Sequence, residues 1–343
     1  MSIMDAIRGL WKQEQQNWTL LSVAAPAVAQ LPGAIPYGTS VNPHQAYVTV
    51  NMRSMAIAAT RVGWNRFHAA LYTQATLGMR DGSVATIQSV LSPDFLRNLD
   101  PKRIQNVLQI DRTIFGPVPY IGTKVSYETG VFAVKHADLA APFLSCLTDL
   151  ASAAGVALVS AAKPFIEPIK TGIELLTGTH DATSLEIALS RDLQPPTTGW
   201  FALLRETQQN LNGTKLSVDA NNFELRDNGN SVSGVPYLVF SVDGNPTRPD
   251  WAQIPDLKAA YADFTKAATA GNQNAAEDAV KLFRRRARLS PELLRTHAED
   301  VVAVIDDEFK RLFPGGGTSG PAVGMTKVTH DLGQLKVRFR APQ

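Results

Sequence analysis

The most concentrated chemistry in this sequence is a basic run near residue 285. Five of the eight residues from Lys281 to Arg288 are basic, and such a helical stripe could hold phosphate groups or an acidic protein surface. However, eight basic residues from Glu277 to Arg311 are matched by eight acidic ones, so the segment as a whole is neutral. Pairing with carboxylates of the next helix is therefore the favoured interpretation. The functional alternative makes Arg284, Arg285 and Arg288 a protein-binding surface, and nucleic acid is the least favoured partner.

The usual signatures of catalytic and metal chemistry are missing from the chain. Its six histidines are scattered, with no pair at metal-ligand spacing, so we expect no metal site. The sequence has no nucleophile elbow, no phosphate loop and no dinucleotide fingerprint, and it predicts no cofactor. The single cysteine, Cys146, cannot form an intrachain disulfide, and we expect it to be a buried packing residue. Acid and base residues far apart in sequence could still form an active site in space.

A long apolar tract raises the question of membrane insertion. From Leu139 to Ala162 the chain carries one charged residue, Asp149, over a length that could span a bilayer. On a helical wheel the large apolar residues share one face, whereas Ser145, Asp149 and Ser152 lie opposite. This segregation favours an amphipathic helix packed against protein. We expect the polar face to be a candidate partner-binding surface, and membrane insertion is the alternative.

A second amphipathic segment follows Pro164, so the region of about residues 138–178 is predicted to be a helix pair inserted between strands. On both sides of it, short alternating runs predict a β-rich domain from residue 31 to 248. Two runs, Ala69–Leu77 and Ser83–Leu91, flank a glycine-containing turn and predict a β-hairpin. The segment Phe115–Gly122 carries prolines, glycines and aromatic residues, and it is either a recognition loop or a tight crossing between strands.

The two ends of the chain have distinct characters. Residues 1–30 predict a short N-terminal docking helix, which fits better than a signal peptide because acidic residues and Pro26 interrupt the signal-like pattern. Residues 249–313 predict a helical domain in which Asn274 and Glu277 form a capping box and Ser290-Pro291 begins the last helix. Residues 314–324 predict a flexible linker, and residues 325–343 a terminal β-hairpin turning near Leu332.

The chain of 343 residues, 44% hydrophobic and with a net charge of +2, is therefore expected to be globular, and its charge specifies no partner class. The predicted fold class is α+β. It consists of a mainly antiparallel, sandwich- or barrel-like β domain with an inserted amphipathic helix pair, a helical C-terminal domain and a terminal hairpin. We expect a cytoplasmic protein, because a single cysteine suits a reducing compartment.

The function that this pattern favours is non-enzymatic. We expect an interaction protein, an adaptor, effector or structural component of a multi-protein bacterial assembly, which binds a protein partner or a second copy. The Gly-rich linker motivates this hypothesis, because a tethered terminal segment can complete its own chain or a neighbour. Two alternatives remain open: a conditionally membrane-active effector, for which the apolar helix pair would be the membrane element, and an enzyme with a dispersed active site.

Overall fold

The protein has a mixed α+β structure, with antiparallel sheets followed by three helices in the C-terminal part of the chain. The structure is a computed structural model. It describes residues 18–27, 30, 32–56, 61–62, 65–80, 82, 84–91, 107–135, 183–207, 210–211, 213–314 and 330–339.

Along the chain, all of the described strands come before the described α-helices. The strands are β1 (Thr19–Val23), β2 (Tyr47–Ala56), β3 (Arg61–Val62), β4 (Asn65–Gly78), β5 (Val84–Leu91), β6 (Val107–Pro119), β7 (Val125–Lys135), β8 (Thr183–Leu193), β9 (Gly199–Leu204), β10 (Leu216–Val218), β11 (Leu225–Asp227), β12 (Asn230–Ser231) and β13 (Tyr237–Asn245). The helices are α1 (Pro255–Thr269), α2 (Gln273–Leu289) and α3 (Arg295–Leu312). We call α1 to α3 the helical unit.

The strands form three antiparallel sheets. Sheet I has the order β1-β9-β13-β2-β6, so it brings together strands from both ends of the β region. Sheet II contains β3, β4, β7 and β8, with β5 paired to β4. Sheet III is the small ladder β10-β11-β12. The predicted β4–β5 hairpin is present, with Gly78 opposite Val84 at its closed end.

Sheets I and II share one hydrophobic core. Every second side chain of β2 and β13 points to the same face of sheet I. These side chains pack against alternate residues of β4 and β7. Fully burying each large apolar side chain contributes roughly 1.5–3 kcal/mol, so this core is the main stabilising feature of the β region. The residues in question are Val48, Val50, Met52, Leu238, Phe240, Val242, Ala75, Leu77, Val125, Tyr127 and Val131.

The opposite face of sheet I is covered over only part of its area. Phe223 and Leu225, from the sheet III region, pack on Trp200 and Val239 and bury this end of the face. The Leu225 N–H also donates to the hydroxyl of Tyr237, which ties sheet III to β13. Beyond this cover the face becomes polar and partly exposed. This exposed part holds the candidate site described below.

One tight crossing explains a glycine in β6. The predicted recognition loop begins within this strand, where Phe115 is fully buried. Gly116 has φ +86°, and a Cβ there would lie 2.2 Å from the carbonyl oxygen of Val48 on the neighbouring strand. Within β6, this segment therefore fits the prediction of a tight crossing between strands. Pro117 of the same segment also borders the candidate site.

The helical unit is held by a separate apolar core. Leu257 and Phe264 lie two helical turns apart on α1 and are buried with Phe283 of α2 and Ile305 of α3 between the three helices. The helical prediction for this region agrees with the observed helices, but two cap predictions were wrong. The cap of α2 is Asn272 rather than the predicted residue 274, and its side chain accepts from the Ala275 N–H at 3.1 Å.

The start of α3 is also displaced from the predicted Ser290-Pro291 position. The helix begins at Arg295, after a turn that buries Leu293 and Leu294. The free N–H of Leu294 at this helix end donates to the hydroxyl of Tyr47 at 3.0 Å. A tertiary contact from sheet I therefore replaces the local side-chain cap that the sequence pattern indicated.

Both chain ends differ in part from the predicted elements. The predicted docking helix was assigned to residues 1–30. Residues 1–17 of it lie outside the described residues, and Thr19–Val23 form the strand β1, which pairs with β9, so the helix prediction is wrong for this part. At the predicted terminal hairpin, Leu332–Gln334 form a one-turn 3-10 helix, and no β-ladder occurs among residues 330–339. The Asp331 and Gln334 side chains form a capping box that stabilises this turn. We call residues 330–339 the tail.

Candidate functional site

A β-bulge directs Arg53 onto the open face of sheet I. Met52 and Met55 of β2 both point into the core between sheets I and II. Between them the pairing with β13 shifts at Val239/Phe240, so β2 carries an extra residue. Arg53 and Ser54 consequently lie on the same, opposite face, where a regular strand would have separated them.

Asp243 of β13 is the centre of the polar network on this face. Its Oδ1 accepts from the Tyr37 hydroxyl at 2.8 Å. Its Oδ2 accepts from Asn51 Nδ2 at 2.6 Å and from Ser241 Oγ at 2.8 Å, and Arg53 Nη2 lies 3.4 Å away. Burial first, and then the Asp243 carboxylate, raise the pKa of Tyr37. The Tyr37 hydroxyl therefore stays protonated at neutral pH and donates a hydrogen bond to the Asp243 carboxylate.

The guanidinium of Arg53 lies over an aromatic wall formed by Trp200 and Phe223. The centre of its guanidinium is 4.9 Å from the ring of Trp200 and 5.6 Å from that of Phe223, which is cation–π geometry. Phe223 has a left-handed φ of +57°, and its carbonyl accepts from Ser54 Oγ at 2.5 Å. The two residues of the bulge thus fix an unusual backbone conformation and the ring that it carries.

These residues border a cavity that we call the polar cleft. It has a volume of about 320 Å³ and combines aromatic and proline walls with carboxylate, amide and hydroxyl groups. Its lining consists of Gln30, Ala34, Tyr37, Thr49, Asn51, Arg53, Thr113, Pro117, Trp200, Asp243, Gly244, Asn245, Thr247, Pro249 and Asp250. A concave site of this kind is suited to binding a small group, with the polar atoms fixing its orientation.

A buried ion pair joins the rim of the polar cleft to the helical unit. Arg248 is fully buried, and its guanidinium pairs with Glu292 at 3.2 Å and with Asp250 at 3.3 Å. The guanidinium also lies over the ring of Tyr47, 5.8 Å from its centre. The Tyr47 hydroxyl in turn lies 2.9 Å from His297 Nδ1 of α3. Sheet I and the helical unit are therefore connected through polar groups that are removed from solvent.

The tail is attached to the helical unit by a second set of contacts, which we call the tail clamp. Arg311 donates to both carboxylate oxygens of Glu308, at 2.7 and 2.8 Å. The same carboxylate accepts from the His330 N–H and lies 3.1 Å from the His330 ring nitrogen Nδ1. The Tyr261 hydroxyl donates a hydrogen bond to the His330 carbonyl oxygen at 2.6 Å. Burial alone would raise the pKa of Glu308, but these hydrogen bonds outweigh it and lower the pKa to about 2.

Apolar contacts continue the attachment beyond the clamp. Leu332 is buried against the helical unit, and Leu335, Val337 and Phe339 are partly buried there. The ring of Phe339 lies 4.5 Å from that of His297. The tail thus uses both a charged anchor at its start and an aromatic contact at its end.

The structure pairs most of the predicted basic stripe within the helical unit. Arg284 Nε bonds Asp306 at 2.7 Å, and Arg288 makes a bidentate pair with Glu299 at 2.8 and 2.9 Å. Arg285 is exposed. Among the three candidate arginines, it is the one for which the described part of the chain shows no ion pair. The favoured intramolecular interpretation therefore applies to Arg284 and Arg288.

The other predicted partner-binding residues lie outside the described residues. These are Ser145, Asp149 and Ser152, together with Cys146 and the whole predicted helix pair at residues 138–178. Among the helices that the structure describes, none is long and apolar enough to cross a membrane. Within the same residues, no group of three or more His, Cys, Asp or Glu side chains is placed to hold a metal ion.

Sequence reasoning did not find the polar cleft. Tyr37, Arg53 and Asp243 are far apart along the chain and match no motif. The available signal was weak: Arg53 and Asp243 each place the one charge within an otherwise uncharged strand. Comparison with protein-family models, curated proteins and solved structures gave no match. Function is therefore inferred from the geometry of this chain.

Proposed function

We propose that this chain is a non-enzymatic interaction protein, a component of a multi-protein assembly that associates through its tail. The observation that carries the proposal is the tail clamp. Through it, the ten residues 330–339, which lie near the C-terminus, dock on the helical unit as a distinct segment. Residues 315–329 separate this segment from α3. A second copy can supply the same segment to the same surface with no new contact, which is the basis of segment exchange.

The chemistry of the clamp supports an exchangeable attachment. Glu308 is almost completely buried and is already paired with Arg311, which belongs to the same helix. Half of the His330 side chain is exposed, and it adds its bonds to this preformed pair. The surface of the helical unit is therefore organised by its own residues, and the incoming segment has few polar groups to desolvate. In one chain the tether gives the tail a high effective concentration, so exchange should increase with protein concentration.

The composition of the polar cleft also favours binding over catalysis. Asp243, the carboxylate at its centre, is held by donors from Tyr37, Asn51, Ser241 and Arg53. These donors fix the orientation of the Asp243 carboxylate, which suits a group that holds a ligand in place better than one that must move a proton. An enzyme with a dispersed site remains the less favoured alternative. Membrane activity depends on the predicted helix pair at residues 138–178 and stays a prediction.

The proposal is tested by the mass of the full-length protein in solution. Light scattering over a range of concentrations should show self-association of the wild type, and two differently tagged copies should co-purify after mixing. Deleting residues 315–343 should abolish both. Leu332→Asp should do the same in a chain of full length, because a carboxylate cannot replace a buried leucine at this contact.

A matched control is Arg338→Gln, which lowers the net charge by one, as Leu332→Asp does, at an exposed position of the tail. It should leave self-association within about a factor of two of the wild type, since exposed charges contribute little. Equal masses for the wild type and the deletion variant at every concentration, with no co-purification of the two tags, would overturn the proposal.

A further inference from the structure

We propose that the polar cleft binds an organic cation, namely an alkylammonium or guanidinium group. This inference is independent of the tail and of self-association. It rests on the hydrogen-bond capacity of the cleft, its charge balance and its aromatic wall.

The one arginine that lines the cleft is already committed to protein acceptors. Arg53 donates from Nε and Nη2 to the hydroxyl of Ser241, and from Nη1 to Asp111 at 2.5 Å. Its Nη2 is also the atom that approaches Asp243. An anionic ligand would have to displace these bonds to reach the guanidinium. The presence of Arg53 therefore does not make the cleft an anion site.

The charge balance of the network favours a cation. Among the described residues, the charged side chains that line the cleft are Arg53, Asp243 and Asp250, so its lining carries one negative charge in excess. Because part of this network is buried, a bound cation would be attracted more strongly than by the same charges in water.

Two carboxylates can receive the cation directly. Asp250 lines the cleft and accepts one bond, from Arg248 to its Oδ1, while its Oδ2 has no donor among the described residues. Asp243 Oδ1 accepts only the Tyr37 bond, which leaves a second lone pair on that oxygen. Both carboxylates are partly exposed, so a ligand in the cleft can approach them.

The walls suit the rest of such a ligand. Trp200 is almost fully buried behind the guanidinium of Arg53, so the aromatic surface that the cleft offers to a ligand belongs to the partly exposed Tyr37. The ring of Tyr37 and the side chains of Ala34, Pro117 and Pro249 provide apolar area for an alkyl stem. The volume of about 320 Å³ is at the lower end of small-molecule sites, enough for one side-chain-sized group.

The experiment is calorimetric titration of the full-length protein with three probes of similar size. n-Butylguanidinium and n-butylammonium should bind saturably, and n-butyrate should not bind. Asp250→Asn should weaken cation binding about tenfold, because it removes the charge of the accessible carboxylate while retaining its shape. Asp243→Asn should weaken binding by at least a similar factor.

The matched control is Asp192→Asn, which removes an exposed carboxylate of sheet II that pairs with Lys124 away from the cleft. It should leave the affinity unchanged. Capped tripeptides with a central arginine, lysine or glutamine distinguish the source of the cation. Tighter binding of the arginine or lysine peptide than of the free butyl probes indicates a partner side chain, and tighter binding of the free probes indicates a small amine.

Three results would overturn the proposal. One is the absence of saturable binding for both cations at concentrations of tens of millimolar. The second is butyrate binding as tight as cation binding. The third is unchanged affinity in a folded Asp250→Asn variant. Because Asp250 lies at the rim and Asp243 at the centre of the network, loss of folding in one variant leaves the other as a valid test.

Discussion

The hydroxyl of Tyr47 accepts a hydrogen bond from the Leu294 N–H at 3.0 Å, so a side chain of β2 caps the helix α3 that starts almost 250 residues later. The same hydroxyl lies 2.9 Å from His297 Nδ1. Burial raises the pKa of Tyr47 well above its usual range, and the phenol therefore stays protonated. One hydroxyl thus couples sheet I to the helical unit.

Replacing Tyr47 by Phe should lower the free energy of unfolding by about 1–3 kcal/mol, because it leaves a buried N–H and a buried imidazole without this partner. Hydrogen exchange at Leu294 should become faster in the variant. The control is Tyr120→Phe, since Tyr120 is also buried in the β region but its hydroxyl makes no hydrogen bond within the described structure. Equal stability losses in the two variants would mean that Tyr47 contributes only its ring.

Asp243→Asn should destabilise the β region by about 1–3 kcal/mol. The amide retains the shape of the carboxylate, but its nitrogen cannot accept the bonds that Asn51 and Ser241 make to Asp243, and the ion pair with Arg53 is lost. Urea denaturation followed by tryptophan fluorescence measures the change, since Trp200 belongs to the same wall. A loss smaller than about 0.5 kcal/mol would show that the network is not structural.

Glu308→Gln should release the tail. The variant lacks the carboxylate that Arg311 and His330 share, so limited proteolysis should cleave the chain after residue 314 faster, and the free energy of unfolding should fall by about 1–3 kcal/mol. The control is the neighbouring Asp307→Asn, whose carboxylate is 79% exposed and should contribute less than about 1 kcal/mol. Equal cleavage rates for Glu308→Gln and the wild type would contradict the tail clamp.

The same carboxylate predicts how stability depends on pH. The pKa of Glu308 falls from an ordinary 4.5 to about 2 on folding, so its stabilisation is complete at pH values above 4.5. The stabilisation should decrease as the pH falls from 4.5 to about 2, because the unfolded chain takes up the proton first. Denaturation of the wild type and Glu308→Gln at successive pH values should therefore converge at low pH. A difference that stays constant down to pH 2 would exclude this linkage.

The helical unit could be predicted from the sequence because its information is local. In α3, Ala298, Val301, Ile305 and Leu312 recur at helical spacing, and the observed helices lie in the predicted segment. The β4–β5 hairpin was predicted for the same reason, since its turn residues lie between the two strands that they join. The cap at Asn272 was misplaced by two residues, because Asn272 and Asn274 are equally plausible caps until the backbone is known.

The polar cleft could not be predicted because its contacts are between distant parts of the chain. A strand pattern assigns Arg53 to one face by counting alternate residues, and the bulge next to it changes that count. The pairing of Tyr37 with Asp243 depends on which strands are neighbours in sheet I, an order that local patterns do not encode. In contrast, pairing of the basic stripe with carboxylates of the next helix could be favoured from the neutral charge of one local segment, and Arg288 does pair with Glu299 of α3.

The central claim, that the tail is exchanged between copies, is tested most directly by isotope-mixed cross-linking. Lys336 of the tail and Asp307 of α3 border the same shallow pocket beside the tail clamp, so a carbodiimide can join the amine to the carboxylate. Light and heavy-nitrogen full-length proteins would be mixed, cross-linked at several concentrations and digested. Lys336→Arg is the matched control, because it keeps the charge and removes the reactive amine.

Exchange of the tail between copies predicts cross-linked Lys336–Asp307 peptide pairs that combine one light and one heavy peptide. The proportion of these mixed pairs should rise with protein concentration. Pairs of matching isotope alone, at every concentration at which the cross-link forms, would show that the tail stays on its own chain and would contradict the proposed function.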